Sequence, residues 1–190
     1  MTATMTGPDR TWAVIAGGGT GGHVVPGLAI ASEMVARGAA PRQVHFIGSR
    51  RGLERRLVPA AGFPLTALPG RGIQRRVTPA NLTAALGLIV AVVRALVIVG
   101  RLRPAVLVGL GGYASVPGVL AAVVWRVPIV VAEQNAVPSA ANRLAGRFAR
   151  AAAVPFPDTD LPNATWTGNP VRSEIAGLER TGPAREAACA

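Results

Sequence analysis

Two glycine-rich stretches hold the residues best suited to chemistry. The first reads Gly17-Gly18-Gly19-Thr20-Gly21-Gly22-His23 and runs into an apolar helical pattern containing Pro26. Glycines let a backbone approach a ligand closely, and unpaired amides at a helix start attract phosphate through hydrogen bonds and the helix dipole. Pro26 is expected in the first helical turn, where its missing N–H is harmless. The second stretch, Gly109-Leu110-Gly111-Gly112-Tyr113-Ala114-Ser115-Val116-Pro117, follows a Val-rich run. Two such turns on neighbouring strand ends suit two phosphates, although a tight strand–helix turn with close packing explains the second equally well.

Gly17, Gly19 and Gly22 formally satisfy the dinucleotide fingerprint. A nicotinamide enzyme carries an acidic residue after its second strand to hold the ribose, and this chain has Gly48-Ser49-Arg50-Arg51 there. Arginines at that point suit the extra phosphate of NADP, so an NADP-dependent Rossmann oxidoreductase stands as an alternative. No Gly-Lys-Ser/Thr follows the glycines, which excludes a P-loop.

These turns need strands and helices to place them. Short Val- and Ile-rich runs predict strands at Thr11–Ala16, Val44–Ile47, Leu65–Leu68, Ala105–Leu110, Pro128–Ala132, Ala151–Val154 and Thr165–Thr167. Longer Ala- and Leu-rich stretches predict helices at Val25–Arg37, Leu53–Ala61, Asn81–Leu102, Val116–Trp125 and Ser139–Phe148. Strands apolar on both faces, alternating with helices, imply an α/β fold: a Rossmann-like, doubly wound parallel sheet with ligands at the strands' carboxyl ends. Residues 1–10 read as a loose leader, 11–175 as one domain and 176–190 as a linker or tail.

Half of the 190 residues are apolar, enough to bury a core. The 20 basic residues, all arginine, outweigh 9 acidic ones, for a net charge of +11 that implies acidic partners. Aromatics make up 4% of the chain, too few to interleave with the arginines as stacking platforms, so no nucleic-acid partner is expected. The lone Cys189 permits no internal disulfide, which suits a reducing cytoplasm. From Leu82 to Val99 the chain is almost wholly apolar except for Arg94. A buried cation costs a lone span about 2.5–3.5 kcal/mol, so a crossover helix is expected instead. With Arg71, Arg75 and Arg76 just ahead, its Leu82–Val93 face suits an anionic membrane surface.

Gly18–His23, Gly109–Pro117, Glu133-Gln134-Asn135 and Gly168-Asn169-Pro170-Val171-Arg172, in that order, resemble the N-terminal domain of the MurG family of N-acetylglucosaminyltransferases. Gly52-Leu53-Glu54, Leu57-Val58-Pro59 and Gly70-Arg71-Gly72 add to the likeness, which runs from about Thr11 to Ile175. The resemblance implies a GT-B enzyme of two Rossmann-like domains, of which this is the N-terminal half. It also implies a peripheral place on the cytoplasmic face of the cell membrane. The reaction it implies is an inverting transfer of N-acetylglucosamine from UDP-N-acetylglucosamine to undecaprenyl-diphosphate-linked N-acetylmuramyl-pentapeptide, lipid I to lipid II, in peptidoglycan synthesis. It needs no cofactor. Thr20, Gly21, Gly22, Asn135 and Arg172 would touch the donor, and Gly18, Gly19, Gly111, Gly112, Tyr113 and Ser115 the acceptor diphosphate. Two departures stand out: Ala132 replaces the His that commonly precedes Glu-Gln-Asn, and the chain stops where the donor domain should begin. A non-catalytic lipid-diphosphate-binding protein is therefore the rival reading, and acceptor binding without turnover is expected of these residues alone.

An inverting displacement needs a base for the attacking hydroxyl. His23 has the ordinary pKa range for it, while a His at a helix start also serves as a capping or positioning group. Glu133, at a strand end beside two amides, suits orienting the acceptor or a buried, satisfied structural carboxylate. Asp158-Thr159-Asp160, between Pro157 and Pro162, reads as a solvated turn rather than a metal motif, and no metal is expected. His45 reads as a packed strand residue.

Overall fold

The computed structural model describes residues 10–69, 79–172 and 175. The leader up to residue 9, the Gly70-Arg71-Gly72 turn, the Arg71, Arg75 and Arg76 cluster and the tail with Cys189 lie outside the described residues. In chain order the elements are β1 (Ala13–Gly17), α1 (Gly21–Ala36), β2 (Val44–Ser49), α2 (Glu54–Ala60), β3 (Leu65–Leu68), α3 (Pro79–Leu102), β4 (Val106–Gly111), α4 (Ser115–Val124), β5 (Ile129–Ala132), α5 (Ala140–Gly146), β6 (Ala151–Val154) and β7 (Ala164–Trp166). A short 3₁₀ turn at Pro41–Gln43 leads into β2.

Among the described residues all seven strands pair in parallel, in the order β3-β2-β1-β4-β5-β6-β7. Strand order reverses between β1 and β4, which opens a crevice at their carboxyl ends, where the two glycine stretches lie. The β1–β4 register shifts there, Ala16 facing Gly109 but Gly17 facing Gly111, so Leu110 is the extra residue that turns the end of β4.

Alternate residues of β1 feed two cores. Val14 and Ala16 join Leu107, Val131 and the Ala91, Ala95 and Val99 row of α3, together with α4. Ile15 joins Phe46, Val108 and Leu110 under α1 and α2. This double coverage explains why the strands read as continuous apolar runs rather than alternating ones. Gly27 lets α1 close on the sheet, since a Cβ there would lie 2.6 Å from Leu110 Cδ1; Gly118 does the same for α4, 2.8 Å from Ala16 Cβ.

One expectation needs correction. α1 starts at Gly21, not Val25, because the extended Thr20 offers its carbonyl to both His23 N–H and Val24 N–H and so draws the glycines into the first turn. Pro26 consequently falls in the second turn, where it removes the donor that Gly22 C=O would otherwise use.

Candidate active site at the switch of strand order

The two glycine turns meet. Gly112, at φ 75°, lies so close to the first turn that a Cβ on it would come within 2.7 Å of the Gly18 carbonyl oxygen and 3.5 Å of the His23 ring. Between the turns lies a recess of about 310 Å³ lined by Gly18, Gly19, Thr20, His23, Ser49, Arg51, Gly52, Gly112, Tyr113 and Ala114. Six of the residues singled out from the sequence thus share one cavity: Gly18, Gly19, Thr20, His23, Gly112 and Tyr113.

Thr20 is the N-cap of α1, yet its side chain makes no capping bond. Its hydroxyl sits 2.9 Å from His23 Nδ1 instead. That leaves the start of a 16-residue helix without a side-chain cap beside the recess, which Thr20 and His23 line and Gly21 and Gly22 do not, a favourable place for an anion. Burial lowers the His23 pKa below its ordinary value, and the charges of Glu133 and Glu54 raise it only partly back. The imidazole is therefore neutral near pH 7 and able to accept a proton.

The second turn divides into an inner and an outer part. Gly111 is buried at φ 88°, and a Cβ on it would meet Ser139 Oγ at 2.9 Å and the Asn142 amide at 3.2 Å. Ser115 is also buried, and its hydroxyl donates to Gly112 O at 2.9 Å. These two build the turn from behind, whereas Gly112 and Tyr113 line the recess. Tyr113 OH donates to Pro69 O at 3.4 Å, tying the turn to the end of β3, and burial pushes its phenol pKa up.

Glu133 is 2% exposed and fully engaged. Its Oε1 accepts from Gln134 N–H, Asn135 N–H and Asn135 Nδ2, and its Oε2 from Ser139 N–H and Asn142 Nδ2, all at 2.8–3.0 Å. Burial pushes its pKa up, but the bonds from Ser139, Asn135 and Asn142 outweigh that and hold it below the usual carboxylate range. Of its two sequence readings, the geometry fits the satisfied structural carboxylate, which fixes exposed Asn135 and seats the N-terminus of α5 against Gly111.

The Gly168–Arg172 segment crosses back over the sheet. Asn169 Nδ2 donates to Gln134 O at 3.2 Å, and Pro170, Val171 and Arg172 then line a separate groove with Leu28, Met34 and Arg37 of α1 and its end. Arg172 thus lies along the far half of α1, not in the recess that Thr20 borders. His45 Nε2 is 2.8 Å from Thr66 Oγ1 in the packed sheet, as a strand histidine should be. Asp158 and Asp160 are exposed in the β6–β7 turn, and among the described residues no three His, Cys, Asp or Glu side chains converge on a metal position.

Sequence reasoning gave two residues no place in the glycosyltransferase site. Arg51, considered only for NADP, is the cation that lines the recess among the described residues. Glu54 lies under the first turn, with both carboxylate oxygens on Gly19 N–H and Oε1 also on Ser49 N–H. The clue was the spacing of Gly48 and Gly52 around it.

A parallel sheet of this order with paired glycine turns at its switch point is a Rossmann-like nucleotide-type domain. The pattern of the glycosyltransferase family 28 N-terminal domain matches residues 13–154, and the chain belongs to that family. It is 46% identical over 173 residues to the Pseudomonas fluorescens UDP-N-acetylglucosamine–N-acetylmuramyl-(pentapeptide) pyrophosphoryl-undecaprenol N-acetylglucosamine transferase, covering 90% of this chain and 48% of that one. The transferase of the same description from a Nocardioides species is 42% identical over 174 residues, 92% of this chain and 47% of its own length. The crystal structure of Acinetobacter baumannii MurG superposes with a TM-score of 0.69 at 26% identity, over 92% of this chain and 50% of that one. The chain therefore spans about half the length of the curated relatives it matches. Its fold is the Rossmann-like N-terminal half of a GT-B glycosyltransferase, and family membership sets aside the oxidoreductase alternative. The fingerprint match is formal as well: the close-packing glycine of α1 is Gly27, while a Cβ on Gly22 would meet nothing nearer than 3.8 Å.

Proposed function

We propose that this chain is the acceptor-side domain of an inverting N-acetylglucosaminyltransferase of peptidoglycan synthesis. The reaction moves N-acetylglucosamine from UDP-N-acetylglucosamine to undecaprenyl-diphosphate-linked muramyl pentapeptide. The observation that carries the reading is the recess itself: two touching glycine turns, an α1 N-terminus without a side-chain cap, and Arg51 beside them. Preorganised amides and a guanidinium suit a diphosphate, and the relatives' names supply which one.

In this reading the acceptor diphosphate rests in the recess against Gly112–Tyr113 and Arg51 and reaches the amides of Thr20–Gly22 at its edge, which the family resemblance gave to the donor, because Gly19 N–H is already held by Glu54; Asn135 stays on the donor side. The acceptor sugar hydroxyl attacks the anomeric carbon, the bond to UDP breaks, and His23 takes the hydroxyl proton on Nε2. That requires Nδ1–H to donate to Thr20 Oγ1, so Thr20 sets the tautomer.

The membrane part of the reading rests on α3. Its Ala91, Ala95 and Val99 row is buried, whereas Leu86, Ile89, Val90, Val93 and Val97 are 45–60% exposed along the opposite side. The Ala85–Leu102 stretch is long and apolar enough to cross a bilayer, but its packing on the sheet and on α4 suits a helix lying on the cytoplasmic surface with one face in the headgroups.

The test is co-sedimentation of the chain with vesicles. Vesicles carrying undecaprenyl-diphosphate-linked muramyl peptide should bind it more tightly than vesicles with undecaprenol alone. Equal binding to both would refute the diphosphate site, and no binding to anionic vesicles at low salt would refute the membrane face.

A further inference from the structure

Three glycines enclose one carboxylate. Glu54, at the start of α2, is 1% exposed. Both of its oxygens accept from Gly19 N–H, at 3.1 and 3.0 Å, and Oε1 accepts from Ser49 N–H as well. A Cβ on Gly18 or Gly52 would overlap the carboxylate, and one on Gly48 would lie 2.5 Å from Glu54 Cγ. Gly48 and Gly52 do not have the left-handed φ that favours glycine, so the obstacle to a side chain at either position is Glu54 itself. Several glycines of this motif therefore serve an internal anion rather than an incoming one.

That changes which amides are open to a ligand. A phosphate approaching Gly19 would meet a carboxylate already on its N–H, and like charges in a partly desolvated recess repel. The α1 N-terminus just beyond has no side-chain cap and no such competitor. We infer that Glu54 is a positioning residue: its carboxylate claims the Gly19 amide from inside and holds the first turn so that the amides of Thr20, Gly21 and Gly22, and not that of Gly19, are left open to a ligand. The direction of the ligand rests on the phosphate reading proposed above, while the hold on the turn does not.

The experiment follows single amides of the 190-residue chain by NMR, in wild type and Glu54→Gln. A neutral carboxamide keeps the size but turns an NH₂ toward the Gly19 or Ser49 donor. Gly19 and Ser49 amides should be protected from hydrogen exchange in wild type, and Gly19 should lose about tenfold or more of its protection in the variant while the Val108 core amide keeps its own. Titration with inorganic pyrophosphate should shift Thr20, Gly21 and Gly22 but not Gly19 in wild type, and should shift Gly19 as well in Glu54→Gln. Unchanged Gly19 protection in the variant, or a Gly19 shift in wild type as large as that of its neighbours, would overturn the inference. If pyrophosphate shifts none of these amides yet Gly19 protection still depends on Glu54, the phosphate reading falls and the positioning role stands. Should Glu54→Gln not fold, Gly52→Ala serves instead, because it keeps Glu54 but pushes the carboxylate aside. Full Gly19 protection in that variant would equally sink the role.

Discussion

Gly112 sits so close to the Gly18 carbonyl that a Cβ on it would lie 2.7 Å from that oxygen, which makes the two glycine turns one structural unit. Gly112→Ala should therefore cost more than backbone strain. Gly19→Ala is the control: at φ 94° it carries a similar left-handed penalty, but its Cβ would meet nothing within 4 Å. The strain alone is about 1–2 kcal/mol, so urea unfolding should place Gly112→Ala at least ~1 kcal/mol below Gly19→Ala. Equal losses would mean that the turns do not touch in solution.

Glu133 offers a second test, because both of its oxygens are taken. In Glu133→Gln an NH₂ must face either the Gln134 and Asn135 donors or those of Ser139 and Asn142. Leaving buried donors unmatched costs about 1–3 kcal/mol, and urea unfolding should show a loss of that size. Because Glu133 seats Asn142 and Ser139 behind Gly111, the Gly111 amide should shift in the NMR spectrum too. A variant as stable as wild type would return Glu133 to the free, acceptor-orienting reading.

Much of this was legible beforehand, and the exceptions share a cause. Strand-by-strand assignment worked because doubly covered strands produce unbroken Val and Ile runs, as in Ile129–Ala132, and the helix expected from Ser139 starts there because the Ser139 hydroxyl caps α5, accepting from Asn142 N–H. The glycine turns were visible as anion-type motifs, but sequence alone does not say which side of a turn its amides face. Glu54 was missed for that reason: its role depends on a carboxylate reaching back 35 residues to Gly19, a tertiary contact with no local periodicity. Arg172 went the other way. Its place in a motif implies a donor contact, and the path of the chain after Asn169 sets it along α1, away from the recess between the glycine turns, a placement that the motif alone does not give.

Acid should weaken the fold through its two histidines. Burial lowers the pKa of both His23 and His45 in the folded chain, so the unfolded chain binds more protons once pH drops below the ordinary value of 6.5. Their contribution is present above that pH and is lost as pH falls through the lowered folded values. Urea midpoints measured from pH 7.5 to 5 should fall, and His45→Gln should flatten part of that slope while keeping a partner for Thr66. A slope unchanged by His45→Gln would show that the ring is not desolvated.

The two sides of α3 should respond oppositely to polar substitution. Ile89→Ser and Val93→Ser change residues that are 60% and 54% exposed, so stability should stay within about 0.5 kcal/mol while binding to anionic vesicles falls. Ala95→Ser lies in the buried row, which packs on the sheet, and should cost stability without that selective loss of vesicle binding. Reduced vesicle binding from the buried row alone would place the membrane contact elsewhere.

Gly100 provides a case in which two local rules compete. Replacing a helical glycine by alanine ordinarily stabilises by about 0.8–1.0 kcal/mol. Here the new Cβ would lie 2.7 Å from the Trp125 indole, whose Nε1 donates to Leu96 O at 2.9 Å and over which Arg103 stacks at 5.8 Å. The ring locks the end of α4 onto α3, and moving it forfeits a hydrogen bond of about 0.5–1.5 kcal/mol together with the packing of a large aromatic. The losses outweigh the propensity gain, so Gly100→Ala should destabilise the chain by urea unfolding despite its better helix former. Trp125→Ala should lower stability on its own and turn Gly100→Ala into a stabilising change, since the obstacle is gone. If Gly100→Ala stabilises the wild-type background, the indole does not rest on Gly100, and the α3–α4 contact that orients the apolar face of α3 must be held by the Ala91 and Ala95 row instead.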